Sequence, residues 1–470
     1  MATTLGTKTG AAKLQAVTEL VDKLTKDLEH VSLLPKDRNE ALEELKIYGR
    51  DPTNSDPIFT PDGIKTLLKH AFESPSRETS RAALRVLANA MVLKPTTRQM
   101  FVDEGFVPKA CAELKTQSWD DEFLISRLLF LSTYGTTVEL SNLIAQHKLA
   151  TSILENLAKH AKRVSNKASS ATEPMEDMAL AETLKLLFNI MHFCKDEAPL
   201  FNPGLTHIIA LLWRNDIPSK KPMEPPFGAL VNALVNFDFS DDKAKAILYP
   251  TSEPTKVSSR LITLLDGALT DYQGSELDNI VTPLASVITK LYEYAPTNVQ
   301  ETMQMTLLPT VEDRTAVLGK TSTLSSKLLK NSTNPLTPAL RNAISHLQFD
   351  LSGRDASKFV ENVGYGFASG FLFSNNIPIP NSASEAFSAA DASGNSRDVN
   401  PITGQFLDKE KHTDVPEMTQ EEKEREAEKL FVLFERLKKN GIIDVQNPVE
   451  QAFREGKFRE LDDDEVEELD

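Results

Sequence analysis

With only two cysteines and two tryptophans in 470 residues, and no apolar run as long as 18, this chain excludes several classes at once. Cys111 and Cys194 are too few and too far apart for a disulfide framework or a zinc site. Each sits in an apolar helical context and is expected as a buried thiol in a reducing compartment. Without a long apolar run, nothing is expected to span a membrane. The opening MATTLGTKTG has neither a basic stretch leading into an apolar one nor glycine at position 2, which leaves a cytosolic expectation. Asn331–Thr333 fits the glycosylation triplet, which carries no weight without a secretory signal. Basic residues are also short: 52 Lys plus Arg against 68 acids give a formal charge of −16. That charge repels a phosphate backbone over most of the surface, so nucleic acid is not an expected partner.

Catalytic signals are missing too. His30, His70, His147, His160, His192, His207, His346 and His412 are scattered, with no H-E-x-x-H, no nearby cysteine pair and no Ser/His/Asp grouping. No catalytic residue, metal ligand or cofactor is assigned; a triad assembled only in space is left open. Arg314–Thr321 (RTAVLGKT) ends like a phosphate-binding loop, but Arg314 stands where the first glycine belongs and no strand precedes it. Gly364–Gly370 (GYGFASG) fails the dinucleotide fingerprint because Ser369 takes the last glycine position, and close helix packing is its expected role.

What the chain does have is helix. Glycine is sparse, at 19, and 26 prolines punctuate the helical pattern. In Thr79–Lys94 (TSRAALRVLANAMVLK), Ala83, Leu84, Leu87, Ala90 and Met91 form an apolar stripe, while Arg81, Arg85 and Asn89 fall four apart on another face. The same grammar returns in Glu182–His192 with Lys185 and Asn189, in Gly228–Phe237 with Asn232 and Asn236, and more weakly in Pro283–Tyr294. Asn89, Asn189, Asn236 and Thr289 are separated by 100, 47 and 53 residues, and Phe123–Thr133, with Arg127, fills the first gap. A period near 40–50 residues in an all-helical chain marks an all-α solenoid of armadillo or HEAT type.

Taken in order, helices are expected at Lys13–His30, Arg38–Gly49, Asp62–Glu73 and Thr79–Leu93, then at Val138–His160, Met178–Phe193, Glu276–Tyr294 and Asp355–Phe373 among others. Lys162–Asp177 reads as an exposed loop, and no segment alternates with period two, so no sheet is expected. The solenoid is taken as residues 1–375. A flexible linker, 376–417, rich in Ser, Ala, Asn, Asp and Pro at its start, follows. Within 418–445, Thr419–Asn440 is a strong helix with Thr419 and Glu422 as a capping box and Leu430, Phe431, Leu433, Phe434 and Leu437 as a bulky apolar face. Residues 446–470 are an acidic tail, with eight acids among the eleven residues Glu460–Asp470.

Arg81, Arg85, Asn89, Arg127, Lys185, Asn189, Asn232 and Asn236 come from equivalent helices, which line the concave surface of a superhelical stack. Any one of them is equally well a solvated residue on a helix face. Recurrence at matching repeat positions makes the set a candidate peptide-binding ladder, with amides for a bound main chain and Arg and Lys for acidic groups or a terminal carboxylate. Lys46 and Arg50, four apart at the end of the second helix, and the apolar Leu430, Phe431, Phe434 and Leu437 complete the candidate partner-binding set.

Ala83–Asn89 (ALRVLAN), Arg127–Ser132 (RLLFLS), Glu182–Asn189 (ETLKLLFN), Gly364–Leu372 (GYGFASGFL), Asn400–Gly404 (NPITG) and Met418–Leu437 (MTQEEKEREAEKLFVLFERL) follow one another in an order that resembles the synembryn family, chaperones and exchange factors for heterotrimeric G-protein α subunits. The resemblance runs from about residue 40 to about residue 445, and NPITG with the MT-x-E-x-K-E-x-E-A-x-K-L segment is its most specific part. It implies a groove that takes the C-terminal helix of Gα, nucleotide-free or GDP-bound, and a C-terminal helix that contacts the nucleotide-binding domain and aids GDP release. It implies no cofactor, no covalent chemistry, a monomer, and a cytoplasmic protein that meets the plasma membrane only through Gα. Between Ile377 and Val399 the chain departs from animal members: only Ser382 and Ser388 have an acid three residues on, a thin kinase-target cluster, and the repeats look more like those of a fungal member. The competing reading is a general armadillo adaptor or transport receptor that binds extended peptides without touching nucleotide; a metabolic enzyme hidden in the solenoid is a third.

Overall fold

The computed structural model describes residues 8–165, 174–378, 387–390, 396–410, 419 and 425. The chain opens with α1 (Gly10–His30), α2 (Pro35–Tyr48), α3 (Pro61–Phe72) and α4 (Arg77–Leu93). Then come α5 (Thr96–Asp103), α6 (Val107–Glu113), α7 (Trp119–Ser132), α8 (Leu140–Gln146), α9 (Leu149–Ser165) and α10 (Pro174–Phe193). The middle holds α11 (Gly204–Leu211), α12 (Phe227–Val235), α13 (Asp242–Leu248), α14 (Lys256–Asp271) and α15 (Gly274–Tyr294). The last helices of the solenoid are α16 (Thr297–Leu307), α17 (Leu324–Ser332), α18 (Pro338–Leu351), α19 (Ala356–Val363) and α20 (Tyr365–Ser374). Short polar residues begin several of them: Ser76, Ser118 and Thr323 each accept from the N–H three residues on, and Asp355 accepts from Ser357 and Lys358. These caps satisfy first-turn donors that have no partner inside the helix.

The arrangement is an all-α solenoid. α2, α4, α7, α10, α12, α15 and α18 stack side by side in that order, each packing on the next. A second layer backs them, with α3 on α4, α9 on α10, α11 on α12, α14 on α15 and α17 on α18. Because each repeat touches its neighbours, one apolar core runs the length of the stack, from Ala16 to Leu351. A smaller core of Leu318, Leu329, Phe359, Val360, Val363, Ala368, Phe371 and Leu372 closes its C-terminal end. Among the described residues no helix is long and apolar enough to cross a membrane.

Four expectations change. Val138–His160 is two helices, broken where Lys148 takes φ 54°. Asp355–Phe373 breaks at Gly364, whose φ of 84° is open to glycine and strained for other residues. Lys162–Asp177 gives both ends to helices, and Glu176 is fully buried rather than exposed. A sheet is present: β1 (Phe387–Ala390) pairs antiparallel with β2 (Ser396–Val399), and Val399 bridges to Phe406. Strands of four residues are too short to show an alternating period, which is why the sequence hid them. The first compact unit extends through Lys409. Apart from Thr419 and Arg425, the expected C-terminal helix and the acidic tail lie outside the described residues.

Within the core sits a knot of charge. Glu122 of α7, His160 of α9 and Glu176 of α10 are all 0% exposed. His160 Nε2 lies 2.9 Å from Glu122 Oε1, which also accepts from Thr183 at 2.8 Å, while Lys159 Nζ is 2.6 Å from Glu122 Oε2. Glu176 faces Arg214 at 2.9 Å and Arg163 at 3.3 Å, with His160 Nδ1 3.9 Å away. Trp119 stacks on His160 at 4.7 Å. Burial opposes charge on all three groups, but mutual hydrogen bonds and opposite charges outweigh it: His160 is raised above its usual 6.5, and Glu122 and Glu176 are held below 4.5.

Replacing His160 by Gln leaves two buried carboxylates with one cation fewer and should cost about 3–5 kcal/mol in urea unfolding. A raised folded-state pKa means that the imidazolium contribution is complete below pH 6.5 and fades as pH climbs through the folded value. The lowered carboxylates contribute in full above pH 4.5 and fade as pH falls through theirs. The margin of the wild type over His160→Gln is therefore widest between pH 4.5 and 6.5. A margin that widens steadily toward alkaline pH would contradict this account.

Candidate functional site

The polar ladder lies on successive members of one helix row. On α4 the apolar residues Ala83, Val86, Leu87, Ala90 and Met91 go into the core, which leaves Arg81, Arg85 and Asn89 half-buried at one edge. Arg81 Nε is 2.6 Å from Asp121 Oδ1 and its Nη2 donates to Ser118 at 2.8 Å. Arg85 Nη2 reaches Asp120 at 3.2 Å. Both carboxylates lie in the first turn of α7, where the helix dipole also favours negative charge. Hydrogen bonding to Asp121 outweighs burial and holds Arg81 more firmly charged than usual.

The pattern repeats down the row. Arg127 Nη1 is 2.8 Å from Glu182 Oε1, and Lys185 Nζ is 2.6 Å from the same oxygen. Asn189, 3% exposed, accepts from Tyr134 at 3.2 Å and donates to Thr133 at 2.7 Å. Asn236 donates to the Phe188 carbonyl at 3.0 Å. Lys290 of α15 donates to the Phe237 carbonyl and sits 4.9 Å from the Phe239 ring. Lys46 is ion-paired with Glu43 on its own helix. Most rungs therefore tie neighbouring helices together and are only partly open to a ligand. Arg50 and Asn232 are exposed and Asn89 is half-buried; no side-chain partner accompanies them among the described residues. Leu430, Phe431, Phe434 and Leu437 lie outside the described residues.

Sequence reasoning missed an aromatic ridge on this face. Phe123, Arg127, Phe130 and Tyr134 follow at spacings of four, three and four along α7 and just past its end, one helical stripe. Arg127 lies 5.7 Å from the Phe123 ring and Lys185 5.1 Å from that of Phe130. Tyr134 meets Phe130 edge-on at 5.3 Å, and on α10 His192 stacks on Phe188 at 6.1 Å with Phe193 half exposed beside it. The signal was readable: these rings share the spacing of the cations, but aromatics in an apolar helix look like core. The face as built offers amide donors and acceptors, partly neutralised cations, and ring surface. That combination suits a peptide helix with an apolar side and a polar end. Among the described residues, no group of three or more His, Cys, Asp or Glu is placed to hold a metal ion.

The Ric8 family model, described as guanine nucleotide exchange factor synembryn, matches residues 41–457. A synembryn-like chaperone of Schizosaccharomyces pombe is 26% identical over 399 residues, covering 81% of this chain and 73% of its own. Chaperone Ric-8A of Xenopus tropicalis is 24% identical over 470 residues, covering 90% and 85% respectively. Among solved structures, a designed armadillo repeat protein is 13% identical, with a TM-score of 0.40 over 58% of this chain and 99% of its own.

The geometry separates rungs that hold the fold from rungs that are open. Asn89→Ala and Asn232→Ala should shift unfolding free energy by no more than about 0.5 kcal/mol. Asn189→Ala removes two hydrogen bonds made by a buried amide, to half-buried Thr133 and exposed Tyr134, each worth about 0.5–1.5 kcal/mol, and should cost about 1–3 kcal/mol in all. Chemical denaturation of the three variants checks this, and equal losses at all three would show that Asn89 and Asn232 are structural as well.

Proposed function

The chain belongs to the synembryn family of guanine nucleotide exchange factors and chaperones, and we propose that it speeds GDP release from a heterotrimeric G-protein α subunit and keeps that subunit folded while its nucleotide site is empty. Its helix row grips the C-terminal helix of Gα along the aromatic ridge, with Asn89, Asn232 and Arg85 meeting the polar groups of that helix. The observation that carries this reading is the set of rings and open amides at repeat spacing on consecutive helices. The segment Thr419–Asn440, with its apolar face, reaches the nucleotide-binding domain. No bond is made or broken, and no cofactor is used. A factor that prefers nucleotide-free Gα over the GDP form by some ratio must weaken GDP by that same ratio. With a charge of −16, the chain works away from nucleic acid, as a cytoplasmic monomer that meets the membrane through Gα.

GDP release from purified Gα, with and without the full chain, tests the core of this reading; no acceleration would favour a plain peptide-binding adaptor. Arg85→Glu combined with Asn89→Ala should weaken binding of a Gα C-terminal peptide by about 2–5 kcal/mol. Unchanged affinity would remove both from the site. Truncation before Met418 should leave the solenoid folded and peptide binding largely intact while exchange falls.

A further inference from the structure

Glu182 of α10 differs from the other rungs. It is 3% exposed and lies in the seam where α10 packs on α7. Arg127 Nη1 from α7 and Lys185 Nζ from its own helix both donate to one of its oxygens, Oε1, at 2.8 and 2.6 Å. The other oxygen, Oε2, is buried with no hydrogen-bond partner. On the seam before it, Arg81 and Arg85 have a carboxylate each, Asp121 and Asp120, and Arg77 touches Asp121 only from the surface, its side chain 79% exposed. Here two cations share one carboxylate, and among the described residues no other carboxylate lies within 4.0 Å of either. A buried polar atom without a partner calls for an explanation. If Glu182 served only to tie α7 to α10, a neutral side chain with one acceptor would do so. What a carboxylate adds is charge, and that charge falls one short of the two it faces.

Both cations remain partly open to solvent, with side chains 32% and 41% exposed. A guanidinium carries five N–H donors and an ammonium three, and Glu182 takes one from each. Because both reach a single oxygen, their nitrogens stand close enough together for one carboxylate to span them. Ring surface lies beside each, Phe123 5.7 Å from Arg127 and Phe130 5.1 Å from Lys185. Those rings displace water from the station, and a charge pair made where water is scarce is stronger. An acidic group on a helix laid along the ridge therefore meets one uncompensated positive charge, with apolar surface on either side for its neighbours.

We propose that Glu182 is a specificity-determining residue of the tail site: it holds Arg127 and Lys185 in place for one carboxylate of the bound helix and competes with that carboxylate for both. This rests on the reading that the Gα tail lies along the ridge. The carboxylate is either the chain terminus of the tail or an acidic side chain within it, and both offer the same two oxygens. Glu182 then works in two directions. It organises the cations before the tail arrives, which spares side-chain freedom on binding. It also repels the incoming carboxylate, so the tail is held less tightly than two unpaired cations would hold it. A tail with no carboxylate at this point gains nothing from the station and meets no repulsion.

The test uses the full chain and a synthetic peptide of the Gα C-terminus in three forms: unmodified, amidated at its end, and with its acidic side chains replaced by the matching amides. Glu182→Gln keeps an acceptor for Arg127 and Lys185 and removes the charge. It should tighten the unmodified peptide about fivefold, the ratio that corresponds to about 1 kcal/mol for a half-buried charge pair. Lys185→Gln should loosen the same peptide about fivefold. Both effects should vanish for the one form that has lost the recognised carboxylate, which also tells terminus from side chain. Both should shrink as salt rises from about 0.05 to about 0.5 M. A purely structural role for Glu182 predicts the same change with all three peptides; that result overturns the proposal, as does looser binding of the unmodified peptide by Glu182→Gln. Lys185 bonds within its own helix, so if Glu182→Gln fails to fold, Lys185→Gln decides: equal loss with all three forms, or loss with none, overturns the proposal as well. Phe130→Ala separates this from the reading beneath it. If that change weakens the unmodified peptide while Glu182→Gln treats all forms alike, only the role of Glu182 falls. If it leaves affinity unchanged, the tail does not lie on the ridge and both fall.

Discussion

A helix packed on both flanks leaves its polar edge within reach of the next helix, and in this molecule that edge is where the repeats are held in register. Arg81 to Asp121, Arg127 to Glu182, Asn189 to Thr133 and Asn236 to the Phe188 carbonyl are the same step repeated between consecutive members of the row. The charged rungs sit half-buried at the rim, where a pair contributes on the order of 1 kcal/mol. The continuous apolar core supplies the stability. What the rungs supply is position, because a guanidinium that must meet a carboxylate on the neighbouring helix permits little sliding. A face organised in this way before a ligand arrives loses less side-chain freedom on binding.

Where charge goes deeper, the chain surrounds it. His160 sits between Glu122 and Glu176, and those carboxylates are met in turn by Lys159, Arg163 and Arg214. Removing one member of such a set leaves an uncompensated charge in a poor solvent, so the knot ties α7, α9 and α10 together more stringently than their apolar contacts would. Arg314 follows a different route. Its guanidinium is met by the carbonyl end of α19, where the helix dipole places partial negative charge, and by the Gly404 carbonyl. One arrangement fastens repeats to each other, and the other fastens a late segment to the last repeat.

How much of this was legible in the sequence follows the range of the interactions. The row α4, α7, α10, α12, α15 was readable because its apolar stripe recurs every 40 to 50 residues and periodicity is a local property. Arg81, Arg85, Asn89, Arg127, Lys185, Asn189 and Asn232 fall on the helices of that row for the same reason. Their partners were not readable: nothing within a few residues of Arg81 announces Asp121, and nothing near Asn189 announces Thr133. The aromatic ridge was hidden because Phe123, Phe130 and Phe188 in apolar helices have the pattern of core residues. Gly364 looked like a close-packing glycine and is a helix break, since left-handed φ leaves no composition signal beyond glycine itself. Arg314 was the hardest case. As a departure from a nucleotide motif it read as noise, and its meaning lies 90 residues away at Gly404.

Grip alone does not make an exchange factor. A face that held the Gα tail equally well with and without GDP would bind tightly and release nothing, because only contacts that differ between the two states shift the equilibrium between them. The tail helix is one source of such a difference if it must leave its place against the nucleotide-binding domain to lie along the ridge. An arm that touches that domain directly is another, and the two add on the free-energy scale, so their ratios multiply. The same sum acts on newly made Gα, whose nucleotide-free state is the one that needs shelter. Releasing GDP and protecting the empty form are then one preference seen from the two sides of a single cycle.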